Sequence, residues 1–393
     1  MKRVGNIFEK IVDIENIMLA IDMASQGKRE KSIVKDVLDN KLMYAEAIRY
    51  MLINKTYRPL KPVEKLLRDT RQKKDRIIYK PHFFPDQIVH WALMMPLQEV
   101  IYRGMYQYSV GSIPKRGMKK GQVAIQKWIT QKDAKYCLKM DVTKFYPSID
   151  NEILKSKFRK IIKDKETLWL IDSIIDSNEG QPIGYYTSQW FANFYLQDLD
   201  HFIKEKLGAK YYVRYVDDLV ILGPNKKKLH KMQKEVDAFL KKEKLQMKGN
   251  WQVFPIAYFG EKKGRPIDFL GLKFYKNATT LRRRNSLRWG RRMRHILKHG
   301  YMRRTDACAF ISYKGFMKRT NSYHYYKKYF QPVVNPGIAK RLISKNEQAE
   351  NKKENGFIFY LSERRYKRIG GNKYVRNVNR RPIDHEPQKV SRL

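Results

Sequence analysis

The sequence predicts a mixed α+β chain, on three observations. Apolar residues recur at helical spacing through the first 60 residues and again at 86–101, 188–207 and 226–245. Short apolar or alternating runs at 136–141, 211–216, 219–222 and 268–275 read as strands, two of them flanking a tight acidic turn. Finally, residues 276–304 hold eleven Lys/Arg and no acid, a shift that marks a separate element.

Taken in order, Ile7-Phe8, Ile11-Val12, Ile14 and Ile17-Met18 give the opening segment (1–60) its helical face. A basic segment follows, with six Lys/Arg from Arg68 to Lys80, then a helix carrying Ile88, Trp91, Ala92, Met95 and Leu97. YCLKMD (136–141) is a strand that ends in an acid. Residues 180–189 form a Gly/Pro loop, and the helix after it places Phe191, Phe194-Tyr195, Leu199 and Phe202-Ile203 on one face. YYVRYV and LVIL are strands around an Asp-Asp turn, and Leu229, Met232, Val236, Phe239 and Leu240 face inward on the next helix. DFLGLKFY (268–275) is a further strand, and Lys345–Asn355 reads as a linker.

Charge narrows the function. Among 393 residues, 83 Lys+Arg against 39 Asp+Glu give a net +44, which calls for a polyanion. Hydrophobic content of 42% supports a core and excludes global disorder. Two cysteines, Cys137 and Cys308, cannot build a disulfide framework or a four-ligand zinc site, and reduced thiols suit a cytoplasmic protein. The start of the chain has no signal-peptide pattern, and the longest uncharged stretch, Gly180 to Gln197, is too polar to span a membrane, so no membrane partner is expected. No HExxH, Walker loop or zinc pattern appears.

Three aspartates stand out. Asp141 ends a strand, and Asp217 and Asp218 are adjacent in the turn. Aspartate suits ordinary surface turns. Adjacent like charges between apolar strands nevertheless need compensation, and a pair of Mg²⁺ ions would supply it, since hard cations take carboxylate oxygens and bridge phosphates.

Tyr215-Val216-Asp217-Asp218 (YVDD), with KMDVTKFYPSID (139–150), resembles the palm of a reverse transcriptase. The resemblance runs from about residue 60 to 330 with its blocks in order: KKDRII with Lys74 and Arg76, SVGSIPKRG (109–117), the Asp141 motif, GQPIGYYTSQ (180–189), YVDD, and FLG (269–271) at the primer grip. It implies a right-hand polymerase with fingers, an antiparallel palm sheet and a helical thumb. The implied division is a helical segment (1–60), fingers and palm (61–275), thumb (276–335) and a basic extension (336–393).

The same resemblance implies roles. Asp141, Asp217 and Asp218 would hold two Mg²⁺ ions, with Mn²⁺ able to substitute, and the Val142 carbonyl would be a further ligand. Lys74 and Arg76 would neutralise the triphosphate of the incoming dNTP. Tyr146 would sit under the sugar, unless it is a core aromatic. Lys248 would give a proton to pyrophosphate. Arg282, Arg283, Arg284, Arg291, Arg292 and Arg294 would hold the template–primer phosphates. Tyr323, Tyr325-Tyr326 and Tyr329-Phe330 suit thumb core better than base stacking. The last segment, with Arg364-Arg365, Lys367-Arg368 and Arg380-Arg381, is an RNA-binding extension or a docking site.

Ile183 before Gly184, and Gln189 after Ser188, resemble the reverse transcriptases of diversity-generating retroelements, within the group II intron-like bacterial superfamily. FANFYL (191–196), WQV (251–253) and LRRRNS (281–286) agree. That resemblance implies a template-repeat RNA copied into cDNA with errors at adenines, mutagenic retrohoming into a target gene, and a small basic ring-forming accessory variability protein as partner. Ile183, Gly184 and Gln189 would then contact the nucleotide. A Gln at 183 could pin the nucleotide by hydrogen bonds; Ile cannot. A retron, intron or abortive-infection reverse transcriptase, and a catalytically silent RNA-binding protein, are the competing readings.

Overall fold

In a computed structural model, which describes residues 3–69, 74–351 and 356–368, the chain divides between Arg265 and Pro266 into two compact units.

The first unit opens with helices α1 (Phe8–Ile11), α2 (Ile14–Ser25), α3 (Ser32–Asp39) and α4 (Lys41–Ile53). Asp13 caps α2 by accepting the Glu15 amide at 2.8 Å. Ile17, Ala20, Ile21 and Ala24 bury the inner face of that helix at the predicted spacing. The basic segment, to which its charge pattern assigns no element, lies in a two-stranded antiparallel ribbon, β1 (Val63–Asp69) and β2 (Lys74–Lys80). Val63, Leu66, Leu67 and Ile77 are exposed on it, so burial does not order its alternation as it does in a sheet with a core face. Helices α5 (Ile88–Gly104) and α6 (Met118–Ile129) precede β3 (Tyr136–Asp141), whose bounds match the sequence expectation.

Asp150 caps α7 (Asn151–Ile161), and α8 (Lys165–Ile175) leads into the 180–185 loop. Helices α9 (Tyr186–Tyr195) and α10 (Gln197–His201) bury the expected aromatic face. Then come β4 (Tyr211–Tyr215), β5 (Asp218–Gly223), α11 (Lys226–Lys242) and β6 (Gln252–Pro255). The sheet order is β4-β5-β3-β6, antiparallel throughout. Leu229, Met232, Val236 and Leu240 of α11 are buried as expected, while Phe239 is half-buried and stacks on Phe202.

The second unit begins with β7 (Ile267–Phe269), β8 (Leu272–Phe274) and β9 (Thr279–Leu281), a three-stranded antiparallel sheet. The division therefore falls some ten residues before the expected boundary at 275/276, because FLG leads through the turn of the β7–β8 hairpin, whose second strand pairs with β9. Helix α12 (Arg283–His299) ends on Gly300 in the left-handed conformation. It is followed by β10 (Tyr301–Met302), α13 (Arg304–Met317), α14 (Tyr323–Tyr329), α15 (Pro336–Asn351), β11 (Phe357–Tyr360) and β12 (Arg365–Arg368). The expected linker at Lys345–Asn355 is corrected by α15, which runs through Asn351. Ala339, Leu342, Asn346 and Ala349 recur on its buried face, and the Asn346 side chain bonds the Phe357 backbone in both directions. Within the aromatic block Phe330 is fully buried against Phe310, whereas Tyr323 is 69% exposed. Arg380 and Arg381 lie outside the described residues.

Candidate active site

The site is built where three strands of the first unit end. Asp141 closes β3, Asp218 opens β5, and the two are direct cross-strand partners. The turn itself differs from the expected Asp-Asp pair. Tyr215 pairs with Asp218, so the two turn residues are Val216 and Asp217. Asp218 belongs to the strand because the β5 ladder extends one residue further, to reach both Tyr215 and Asp141.

Val216 has φ +56°, a conformation that a β-branched residue resists. Two features hold it. Arg214 Nη1 donates to the Val216 carbonyl at 2.9 Å. Gly111 leaves room on the other side: a Cβ there would stand 2.4 Å from Val216 Cγ2 and 2.8 Å from its backbone nitrogen. This gives the SVGSIPKRG block a physical role, since Val110 also donates to the Arg214 carbonyl at 2.8 Å.

Arg214 is fully buried, although in a chain with 83 bases any one is a surface residue by default. Its fork meets buried Asp200 at 2.8 Å from Nε to Oδ1 and 2.6 Å from Nη2 to Oδ2. Tyr212 donates to the same carboxylate at 2.6 Å, and Asn193 Oδ1 accepts from Arg214 Nη1 at 3.2 Å. Alternation puts Tyr212 and Arg214 on one face of β4, but nothing in it points to Asp200, 14 residues earlier on α10.

Charge is short at the carboxylates. Asp217 is pushed up to about 6, by burial first and then by the charges of Asp141 and Asp218, with Lys248 pulling part of the way back. Lys248 Nζ reaches Asp141 Oδ2 at 3.0 Å, and Lys139 Nζ stands 3.9 Å from Asp218 Oδ1. Asp141 Oδ1 is buried with no hydrogen-bond partner among the described residues. Among those residues no three acidic, His or Cys side chains are already gathered as a closed ligand set. The donor chemistry nonetheless fits a hard divalent cation: two carboxylates facing across adjacent strands, a third beside them, and one oxygen left orphaned.

Val142 is buried and bridged to Met247 beside these aspartates. Tyr146 lies in the turn after β3, with its hydroxyl pushed up to about 12 by burial and then by the Asp217 charge. Its carbonyl accepts from the Gln181 amide at 2.9 Å, which ties it to the 180–185 loop. The other end of that loop is pinned to the ribbon: the Tyr79 amide donates to the Ile183 carbonyl at 2.8 Å. Gly184 has φ +124°, and a Cβ there would stand 2.2 Å from the Tyr79 carbonyl oxygen, so only glycine fits. Ile183 is half-buried, and Gln189 is an exposed residue of α9. Arg76 is exposed on β2; Lys74 opens the same strand, and its side chain lies outside the described residues.

In the second unit, Arg283, Arg284, Arg291 and Arg294 are exposed on α12, the last with its guanidinium 5.7 Å from the Tyr329 ring centre. Two of the six expected phosphate ligands have internal partners instead. Arg282 pairs with Asp268 of β7, and Arg292 with Asp306 at 2.9 Å. Their charge is spent on packing the unit, because the acids that were missing from 276–304 are supplied by the flanking elements.

A four-stranded antiparallel sheet presenting paired carboxylates on adjacent strand ends is the palm of a right-hand polymerase. Residues 72–274, just over half of the chain, match the family described as reverse transcriptase (RNA-dependent DNA polymerase), and the chain belongs to that family. It is RNA-directed DNA polymerase by class, and reverse transcriptase domains use divalent metal ions. The chain is 30% identical over 219 residues to the retron Ec73 reverse transcriptase of Escherichia coli, covering 51% of this chain and 67% of the relative. Among solved structures it is similar to telomerase from Candida albicans in complex with a fragment of telomeric RNA (TM-score 0.43, 11% identity, 57% of this chain). It is also similar to apo telomerase from Candida tropicalis truncated from its C-terminal domain (TM-score 0.40, 13% identity, 62% of this chain). The chain spans 46% and 60% of those two telomerase chains. No helix among the described residues is long and apolar enough to cross a membrane.

Proposed function

We propose that this chain extends a DNA primer with dNTPs on an RNA template, and that it serves a diversity-generating retroelement. The observation that carries the polymerase reading is the Asp141–Asp218 cross-strand pair with Asp217 in the adjoining turn. Asp141, Asp217, Asp218 and the Val142 carbonyl would hold two Mg²⁺ ions, or Mn²⁺ in their place. Ions held there would supply activation of the primer 3′-hydroxyl and charge stabilisation of the leaving pyrophosphate.

The chain's own residues do the rest. Lys74 and Arg76 neutralise triphosphate oxygens. The Tyr146 ring lies under the sugar and rejects a 2′-hydroxyl. Lys248, held on Asp141, gives a proton to pyrophosphate. Arg283, Arg284, Arg291 and Arg294 take template–primer phosphates, while Arg282 and Arg292 brace the element that presents them.

The subgroup rests on the loop. Ile183 offers no hydrogen bond to a nucleotide, and the nascent pair is then held more by shape, which narrows the gap between right and wrong dNTPs. On this reading the enzyme copies a template-repeat RNA into adenine-mutagenised cDNA for mutagenic retrohoming, with a small basic ring-forming accessory variability protein as partner. A retron-type role is the second reading, favoured by the Escherichia coli retron relative. Primer extension on a defined RNA, with the cDNA sequenced, tests both. Errors concentrated opposite template adenine support the first reading; a low, even error rate leaves the second.

A further inference from the structure

The strand pleat gives the β1–β2 ribbon two faces. Arg76 pairs with Leu67 on one of them, while Tyr79 pairs with Glu64 on the other. Behind that second face a cavity of about 540 Å³ opens between residues 58–64 and the C-terminal half of α8. Its volume lies in the range of small-molecule sites.

The lining combines three chemistries. Trp169 and Tyr79, both half-buried, supply flat aromatic surface. Arg58 and Lys61, both exposed, supply positive charge. Arg58 is anchored by its Nη1 on the carbonyls of Lys55 and Tyr57, at 3.0 and 2.8 Å, and has no carboxylate partner among the described residues. Asn178 supplies an amide. Two acids also line it: Asp176 shares the Lys155 ammonium, 2.9 Å away, with Glu152, and Glu64 is exposed on the Tyr79 face of the ribbon. An apolar ligand would have no use for the two cations, and a bare anion none for the two rings. A nucleobase with its phosphate uses all three.

The cavity also shares a wall with the candidate active site. The Tyr79 amide holds the Ile183 carbonyl at 2.8 Å, and Asn178 Nδ2 donates to the Tyr185 hydroxyl at 3.4 Å. A strand that passed the 180–185 loop would reach the cavity within a few nucleotides.

We propose that this cavity captures one unpaired nucleobase of an RNA strand, stacked on Trp169, with the adjoining phosphate on Arg58 and Lys61. Calling that strand the template ahead of the active site rests on the polymerase reading; its capture does not.

The test is photo-cross-linking. A 5-iodouridine is placed at successive positions in the single-stranded 5′ portion of an RNA annealed to a DNA primer, and the labelled peptide is identified. One or two adjacent positions should label Trp169 or Tyr79. In a binding assay, Trp169→Ala should weaken an overhanging RNA–DNA duplex about tenfold and leave a blunt one unchanged, with Trp169→Phe close to wild type. Lys61→Ala, on an exposed residue, should weaken the overhanging duplex alone, by a few-fold that shrinks as salt rises. Labelling spread evenly over the chain, or equal loss on blunt and overhanging duplexes, overturns the proposal. So does displacement of the label by a free mononucleotide at comparable concentration, which would assign the cavity to small nucleotides. Cross-linking needs no turnover, so a chain inert in primer extension that still labels Trp169 sinks the polymerase reading and keeps this one.

Discussion

Lys248 holds Asp141 twice: its ammonium meets Oδ2 at 3.0 Å, and its backbone N–H donates to the Asp141 carbonyl at 2.8 Å. The side-chain contact makes the ammonium a rival of any divalent cation at that carboxylate. The pair is partly exposed, so it contributes up to about 1 kcal/mol, or about fivefold in binding. Lys248→Met should therefore lower the Mg²⁺ concentration for half-maximal extension by a few-fold. If Lys248 is also the proton donor, kcat falls by about 100-fold or more. Single-turnover rates across a metal titration separate the two effects, and an unchanged kcat would confine Lys248 to neutralising Asp141.

Arg214 should prove a positioning residue for the turn. Arg214→Met strands the buried Asp200 charge and should cost about 3–5 kcal/mol of stability. Adding Asp200→Leu should recover most of that stability but not the rate, because the Val216 carbonyl still lacks its donor. Arg214→Lys, which cannot make the bidentate contact, should lower kcat about tenfold with the dNTP KM within twofold. Equal recovery of stability and rate in the double variant would make the residue merely structural.

The loop carries the fidelity claim. Ile183→Gln should reduce misincorporation opposite template adenine, read by sequencing cDNA made in parallel with wild type. An unchanged adenine error spectrum contradicts the role given to Ile183. Gly184→Ala is a contrasting variant: its Cβ would press on the Tyr79 carbonyl, so it should cost activity on every template alike.

His90 predicts an acid limit to stability. The ring is fully buried beside Tyr185, neither nitrogen has a hydrogen-bond partner among the described residues, and burial pushes its pKa down to about 3. In the unfolded chain it titrates near 6.5. The folded pKa is the lower one, so the contribution is complete above about 6.5 and is lost as pH falls from there towards 3. The slope is about 1.4 kcal/mol per pH unit. His90→Leu should flatten this slope in denaturant titrations between pH 7 and pH 5. A parallel slope in the variant would assign the acid sensitivity elsewhere.

Much of this was legible in the sequence because periodic burial writes it there. The β3 strand, the aromatic face of α9 and the inward stripe of α11 all repeat at the spacing of their element. The β1–β2 ribbon was not legible, since neither of its faces is buried in a core and charge hides its alternation. The YVDD turn was found one residue out of register. Aspartate favours turns, but here cross-strand pairing with Tyr215 and Asp141 draws Asp218 into the strand. Arg214 and the internal partners of Arg282 and Arg292 could not be read, because the acids that fix them lie 14 residues away in each case. The last turns of helix α15 read as part of a linker (345–355) on their polar composition, although Asn346 and Ala349 continue the narrow buried stripe that Ala339 and Leu342 begin.

The most direct measurement is extension of a labelled DNA primer on an RNA template with Mg²⁺, comparing wild type with Asp217→Asn. The substitution relieves a carboxylate crowded by burial and by Asp141, so the variant should fold at least as stably, and loss of activity will not reflect loss of fold. Wild type should extend the primer, and Asp217→Asn should give no product above background. Extension by both at similar rates would contradict the site described here.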